Sequence, residues 1–227
     1  MATVKQVIEE VYDEVQDYSL SVDRILRSMN RGAQLLALGH FEDLGIGELF
    51  LPALEVFTSV TLDSDGEFDM STALEDSVAA PYCKELFGAS VTTGGHIDVV
   101  NSLSQIERYY PGLQHTGGPQ MCCISKGTLI AIPRDDVSLY VQYFKKAPTL
   151  LVSSDLDWLP DEFAVPLLTN FVLQDIPSKY KKNLEFEPRE RFTTDITRMF
   201  SAFPVYSRKP KFVHNQVWED DYGNVSS

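Results

Sequence analysis

Two apolar rows at helical spacing open the chain. Val4, Val7, Ile8, Val11, Tyr12 and Val15 recur at i, i+3, i+4, i+7, i+8 and i+11 with acids on the opposite face, which predicts an amphipathic helix of about four turns. Tyr18 to Ser21 break the row, Ser21 is a suitable N-cap, and Val22, Ile25, Leu26, Met29, Ala33 and Leu36 carry a second stripe up to Gly39. A helical hairpin is expected over residues 1–53. From Leu54 the period switches to two. Val56–Leu62, the turn Asp63-Ser64-Asp65-Gly66 and Glu67–Met70 read as a β-hairpin, since Asp-Gly supplies the positive φ that a tight turn needs.

Residues 71–118 are punctuated by Gly94-Gly95, Gly112 and Gly117-Gly118-Pro119, and predict a loop-rich lobe with short helices at Val78–Phe87 and Leu103–Tyr110. An antiparallel meander follows: Gln120–Ser125, a turn at Lys126-Gly127, Thr128–Ile132, a loop at Pro133–Asp136, and Val137–Phe144. The last of these strands alternates Val137, Leu139, Val141 and Tyr143 with Ser138, Tyr140, Gln142 and Phe144, so both of its faces should be covered. Leu159-Pro160-Asp161-Glu162 starts a helix that reaches Ile176 and meets Pro166, where a kink or restart is expected. A final helix from about Pro188 carries Phe192, Ile196, Met199, Phe200 and Phe203 at i, i+4, i+7, i+8 and i+11. The predicted fold is α+β: terminal helices (1–53 and 151–203) form a bundle, residues 54–150 are an inserted antiparallel β region, and 204–227 are an extended C-terminal tail.

The tail changes the picture most. Val205, Tyr206, Phe212, Val213, Val217, Trp218 and Tyr222 follow neither period, and the segment runs from basic (Arg208, Lys209, Lys211) to acidic (Glu219, Asp220, Asp221) around an aromatic centre. Solvated tails are poor in aromatics. Arg208, Lys209, Lys211, Phe212, Val213, Val217, Trp218 and Tyr222 are therefore the candidate partner-binding residues, with folding back onto the tail's own domain as the alternative.

Net charge sharpens this. The chain has a formal charge of −14, and residues 1–90 hold 5 Lys/Arg against 17 Asp/Glu, whereas residues 178–212 hold 9 against 4. An acidic body argues against holding nucleic acid through its phosphates, although an acidic wall lets DNA slide past. The basic stretch suits an acidic partner surface, or is a solvated helix face. With 44% hydrophobic residues the chain can build a real core, and its longest apolar run is far short of the ~20 residues of a membrane helix. The acidic N-terminus is unlike a signal or transit peptide, so cytoplasmic synthesis without export is expected, with no membrane partner.

Motifs for chemistry are scarce. Gly45-Ile46-Gly47 lacks the third glycine of a dinucleotide loop, and the chain has neither a Gly-x-Ser-x-Gly elbow nor a Gly-Lys-Ser/Thr phosphate loop. His40, His96, His115 and His214 are scattered, and the acidic run Asp63–Asp69 has its glycine at the fourth place of a calcium-loop register instead of the sixth. Cys122 or Cys123 with His96 or His115 could form a thiol and base, but adjacent strand cysteines point to opposite faces and read better as buried side chains. No catalytic residue, metal or cofactor is expected.

The order of parts resembles the head-to-tail adaptor (connector) proteins of tailed bacteriophages, the group that includes the tail tubular A-like proteins. The resemblance rests on the helix Val4–Val15, the second helix with Asn30-Arg31-Gly32, the strand ending Val141-Gln142-Tyr143-Phe144 before Ala147-Pro148, and the acidic stretch Ser154–Phe163 leading into a helix. It covers residues 2–38 and 119–203 in character. It implies a virion structural protein in the neck, assembled in the host cytoplasm as a ring of about twelve copies. That ring would sit between portal and tail or nozzle protein, with double-stranded DNA passing through its lumen without sequence-specific binding and the tail docked on the portal. Another neck or tail-completion protein, or a cysteine- or metal-dependent hydrolase within residues 64–118, are the alternatives.

Overall fold

The computed structural model describes residues 1–41, 47–70 and 83–203. In chain order these form α1 (Val4–Val15), α2 (Val22–Leu38), β1 (His40–Phe41), β2 (Gly47–Glu48), β3 (Glu55–Thr61), β4 (Glu67–Asp69), β5 (Cys83–Val91), β6 (His96–Val99), α3 (Leu103–Tyr109), β7 (Met121–Ser125), β8 (Thr128–Ile132), β9 (Ser138–Lys145), α4 (Asp161–Asp175) and α5 (Pro188–Ala202). They divide into two units. One is helical and takes residues from both ends of the chain; the other spans most of 55–145 and holds a seven-stranded sheet.

In the helical unit, local chemistry sets the helix ends. Thr3 and Gln6 form a reciprocal capping box at α1, with Gln6 N–H donating to Thr3 Oγ1 at 3.3 Å and Thr3 N–H to Gln6 Oε1 at 2.9 Å. The start of α1 is stitched to the stretch before α4: Val4 N–H donates to the Ser154 carbonyl (3.0 Å), Leu156 N–H to the Ala2 carbonyl (2.9 Å), and Ala2 N–H to Asp161 Oδ1 (2.8 Å). α4 buries Ala164, Leu167, Leu168, Val172 and Leu173 and packs on α1, α2 and α5, so it is apolar nearly all round, as a central helix must be. It runs through Pro166 as one helix. Asn30 ties α2 to the extended segment that follows β9, its amide donating to the Leu150 carbonyl (3.0 Å) and its Oδ1 accepting from Leu150 N–H (2.7 Å). One turn on, Gln34 donates to the Ala147 carbonyl at 3.0 Å.

The sheet runs β3-β9-β5-β6-β7-β8-β4. Its end strands, β3 and β4, are consecutive in the chain. Seven strands laid flat would place them ~29 Å apart at ~4.8 Å per strand, and the six steps from Thr61 to Glu67 reach at most ~21 Å. The sheet must therefore curl on itself. Val60, Leu86, Ala89, Ile97, Cys122, Leu129, Ala131, Leu139, Val141 and Tyr143, from six of the strands, meet in a single core inside that curl. A register shift between Leu86 and Gly88 in β5 helps to bend it.

The turn at Asp63–Gly66 forms, with Gly66 at φ 72° and Asp63 N–H donating to the Glu67 carbonyl at 2.9 Å. Its flanking strands nevertheless do not pair as a hairpin: β3 pairs with β9 and β4 with β8, which makes the turn a corner of the curled sheet. The meander is likewise corrected. β7 and β8 are a hairpin, but β9 lies between β3 and β5, covered on both faces as its alternation predicts: Leu139, Val141 and Tyr143 enter the core, while Gln142 and Phe144 are buried on the other side.

The expected helical bundle with an antiparallel β insert is overturned in two respects. The sheet is a unit with its own filled core, and it is mixed, because β6 and β7 run parallel. Parallel neighbours need a crossover of a dozen or more residues. α3 and the turn at Pro111–Leu113 supply it, so the stretch read as a lobe contains the connection that makes the sheet mixed. The helix predicted over Val78–Phe87 is also corrected, since β5 starts at Cys83; residues 78–82 lie outside the described residues, as does the expected extended tail, 204–227.

One contact governs the helical packing. A Cβ added at Gly32 would lie 2.7 Å from Phe171 Cδ1 and 2.9 Å from its Cγ, closer than a rigid ring tolerates. Gly32→Ala should lose ~1–3 kcal/mol through overpacking, offset in part by the ~1 kcal/mol that alanine gains over glycine in a helix. Denaturant unfolding is expected to show a lower midpoint with an unchanged slope.

Candidate functional site

An open cleft of about 650 Å³ lies between α1, α4 and α5. α5 turns Phe192, Ile196 and Met199 inward, which leaves Glu190, Arg191, Thr194, Asp195 and Arg198 on the side that lines the cleft. α1 brings Glu10 and Glu14 from its polar face, and α4 brings Val165, Pro166, Thr169 and Asn170. Four carboxylates thus face two guanidinium groups.

These side chains are ordered by one another. Asn170 Nδ2 donates to Asp195 Oδ2 at 2.9 Å. Burial holds the Asp195 carboxyl above its ordinary value, against the Asn170 bond and the nearby Arg198 and Arg191, which act the other way. Arg191 pairs with Glu14 at 3.5 Å and its guanidinium lies 3.3 Å over the Phe186 ring centroid. Thr169 is only 4% exposed, and its hydroxyl has no hydrogen-bond partner among the described residues. A buried hydroxyl in that state is costly and calls for a partner.

A second surface lies on α2. Arg27, Arg31, Leu35 and Leu38 fall at i, i+4, i+8 and i+11 and line a shallower groove of about 510 Å³ with Asn30 and Gln34 as its floor. Leu38 is 43% exposed. Arg31 Nη1 lies 3.3 Å from Asp175 Oδ2, which also accepts the Ser28 hydroxyl, and Arg27 Nε donates to the Asp23 carbonyl at 3.3 Å. The backbone contacts of Asn30 and Gln34 fix the helix beneath this row.

Arg208, Lys209, Lys211, Phe212, Val213, Val217, Trp218 and Tyr222, the candidate partner-binding residues, lie outside the described residues. Cys122 and Cys123 do point to opposite faces of β7, one into the sheet core and the other toward α3 with Ile106 and Ile132. Burial pushes both thiols up, so neither is an ionised nucleophile at neutral pH. His96 lies 3.3 Å from Asp98, and His115 packs edge-on against Tyr110. In the acidic turn, Asp63 Oδ1 accepts Asp65 and Glu67 N–H groups at 2.9 Å each, and Asp65 pairs with Arg134 at 2.9 Å, so these carboxylates serve the corner of the sheet. Among the described residues no three His, Cys, Asp or Glu side chains converge as a metal site, and no helix is long and apolar enough to cross a membrane.

The cleft was missed in the sequence. Its signal was Thr169-Asn170, two polar residues in the middle of the most apolar helix, set against the charged run of α5. Comparison with protein-family models and with curated proteins finds no match to this chain.

Asp195 gives a pH test. With its carboxyl raised in the folded state, the folded protein binds the proton more tightly than the unfolded chain does. Stability therefore falls as pH rises from the ordinary carboxylate value through the raised one. Asp195→Asn keeps an acceptor for Asn170 and removes that cost. Thermal melts should show the variant more stable than wild type at pH 7, with the difference vanishing at pH values below the ordinary carboxylate range; an equal gap at all pH values would contradict it.

Proposed function

We propose that the protein is a virion structural component, a head-to-tail adaptor of the tailed-phage type that forms a ring beneath the portal and does no covalent chemistry. The observation that carries this reading is that one helical unit presents two different surfaces of opposite character: the cleft of α1, α4 and α5, with two more acidic than basic side chains, and the arginine and leucine row of α2. A body with two unlike, complementary patches associates head to tail, and such a contact closes into a ring when its rotation divides the circle. Self-complementary dimers use the same patch twice.

The remaining features are consistent with a ring. The charge of −14 suits a channel through which DNA passes without sticking, and the aromatic and charged residues of 204–227 suit docking on a partner ring, where repetition multiplies a weak contact. The partners under this reading are portal above, tail or nozzle protein below, and further copies on either side.

Light scattering on a sizing column tests it directly. The dilute protein alone should elute as a monomer, and mixing with a candidate portal ring should give a complex carrying many copies. No association at low or moderate salt would overturn the portal-bound reading and favour another neck component. Deletion of residues 204–227 should leave thermal unfolding of the body unchanged and reduce portal binding at least ~10-fold, the loss of one or more aromatic anchors; an unfolded or aggregated truncation would instead place the tail in the core.

A further inference from the structure

We infer that the α2 row of one copy seats in the α1–α4–α5 cleft of the next, with Arg27 and Arg31 against Glu10, Glu190 and Asp195. This rests on the ring reading and names the contact by which neighbours would meet. Two observations on the helical unit carry it. The first is charge: the row carries Arg27 and Arg31, the latter shared with Asp175 of its own copy at 3.3 Å, whereas the cleft brings four carboxylates against two guanidinium groups. The second is dimension. From Arg27 to Leu38 the row spans ~16 Å of helix, and the α5 wall from Glu190 to Arg198 spans ~12 Å, so arginines at one end can meet the acids while Leu35 and Leu38 lie along Val165 and Pro166.

The row is also held ready. Asn30, between the two arginines, and Gln34, between Arg31 and Leu35, are bonded to the Leu150 and Ala147 backbone, so α2 presents its outer face without having to be ordered on contact, which removes part of the entropy cost of binding. Guanidinium against carboxylate gives a directional, charge-assisted contact. Placing like charges there instead would be strongly unfavourable.

Charge exchange on the full chain tests the contact, with concentration-dependent sedimentation velocity at low salt and no portal present as the readout. Wild type should associate weakly as its concentration rises. Arg27→Glu and Glu190→Arg are both exposed substitutions, and each alone should weaken association at least ~10-fold, with unchanged melting to show that the fold is intact. Mixed in equal amounts, the two variants should associate again, because copies can alternate with every row facing an opposite charge; the double variant should do so by itself. If neither single variant weakens association, if wild type does not associate at any concentration, or if neither the mixture nor the double variant restores it, the contact is wrong. Multi-copy loading of the single variants onto a portal ring at wild-type levels would sink this contact while leaving the ring reading standing, and failure of wild type to load would sink the ring reading instead.

Discussion

The helical unit depends on a ring lying against a bare stretch of backbone. Phe171 of α4 occupies the space above Gly32 where any other residue of α2 would carry a Cβ. From there the contact passes on: Phe171 meets Phe192 of α5 edge-on at 5.8 Å between centroids, and Phe192 meets Phe41 at 6.5 Å. Three aromatic side chains thus set how α2, α4 and α5 stand relative to one another. Because α4 also packs on α1, the separation of the three walls of the charged cleft follows from the same contact. Glycine in mid-helix costs about 1 kcal/mol of propensity, and close approach of α4 is what offsets it.

The sheet unit depends on a different constraint, a corner. Arg134 holds it from several directions: its N–H donates to the His115 carbonyl (2.7 Å), its carbonyl accepts from Gly117 N–H (3.1 Å), its Nε donates to the Leu113 carbonyl at 2.8 Å, and its Nη1 reaches Asp65 at 2.9 Å. Acidic and basic side chains here close a structure. The acidic run that superficially resembled a calcium loop is explained by that role.

Much of this was legible along the chain, and the rest was not for identifiable reasons. The spans of α1, α2, α4 and α5 follow from local signals, the 3.6-residue apolar rows of Val4–Val15 and Val22–Leu36, the Thr3 and Gly39 ends, and Pro188 at the start of α5. Strand pairing is set by partners far away in sequence. Nothing local in Val56–Leu62 says that its neighbour is β9 some eighty residues on instead of β4, and an Asp-Gly turn looks the same at a hairpin and at a corner. Gly94-Gly95 and Gly117-Gly118 were read as signs of a lobe, while the β5, β6 and α3 segments around them build the middle of the sheet and its parallel crossover. The cleft escaped for the same reason: its walls come from the first and the last helices described, and only Thr169-Asn170 in α4 stood out locally.

The helical unit is interrupted in sequence by the whole sheet unit, and this has a consequence during synthesis. α1 and α2 leave the ribosome ~120 residues before α4, a delay on the order of ten seconds at typical elongation rates, whereas the strands of the sheet need only one another and can fold as they emerge. The row on α2 is therefore among the first parts of the chain to be made, and the cleft, which needs Glu10 and Glu14 together with α4 and α5, is among the last. A nascent copy lacks the cleft until its last helix is made, so under the proposed contact the order of translation would separate the making of subunits from their joining.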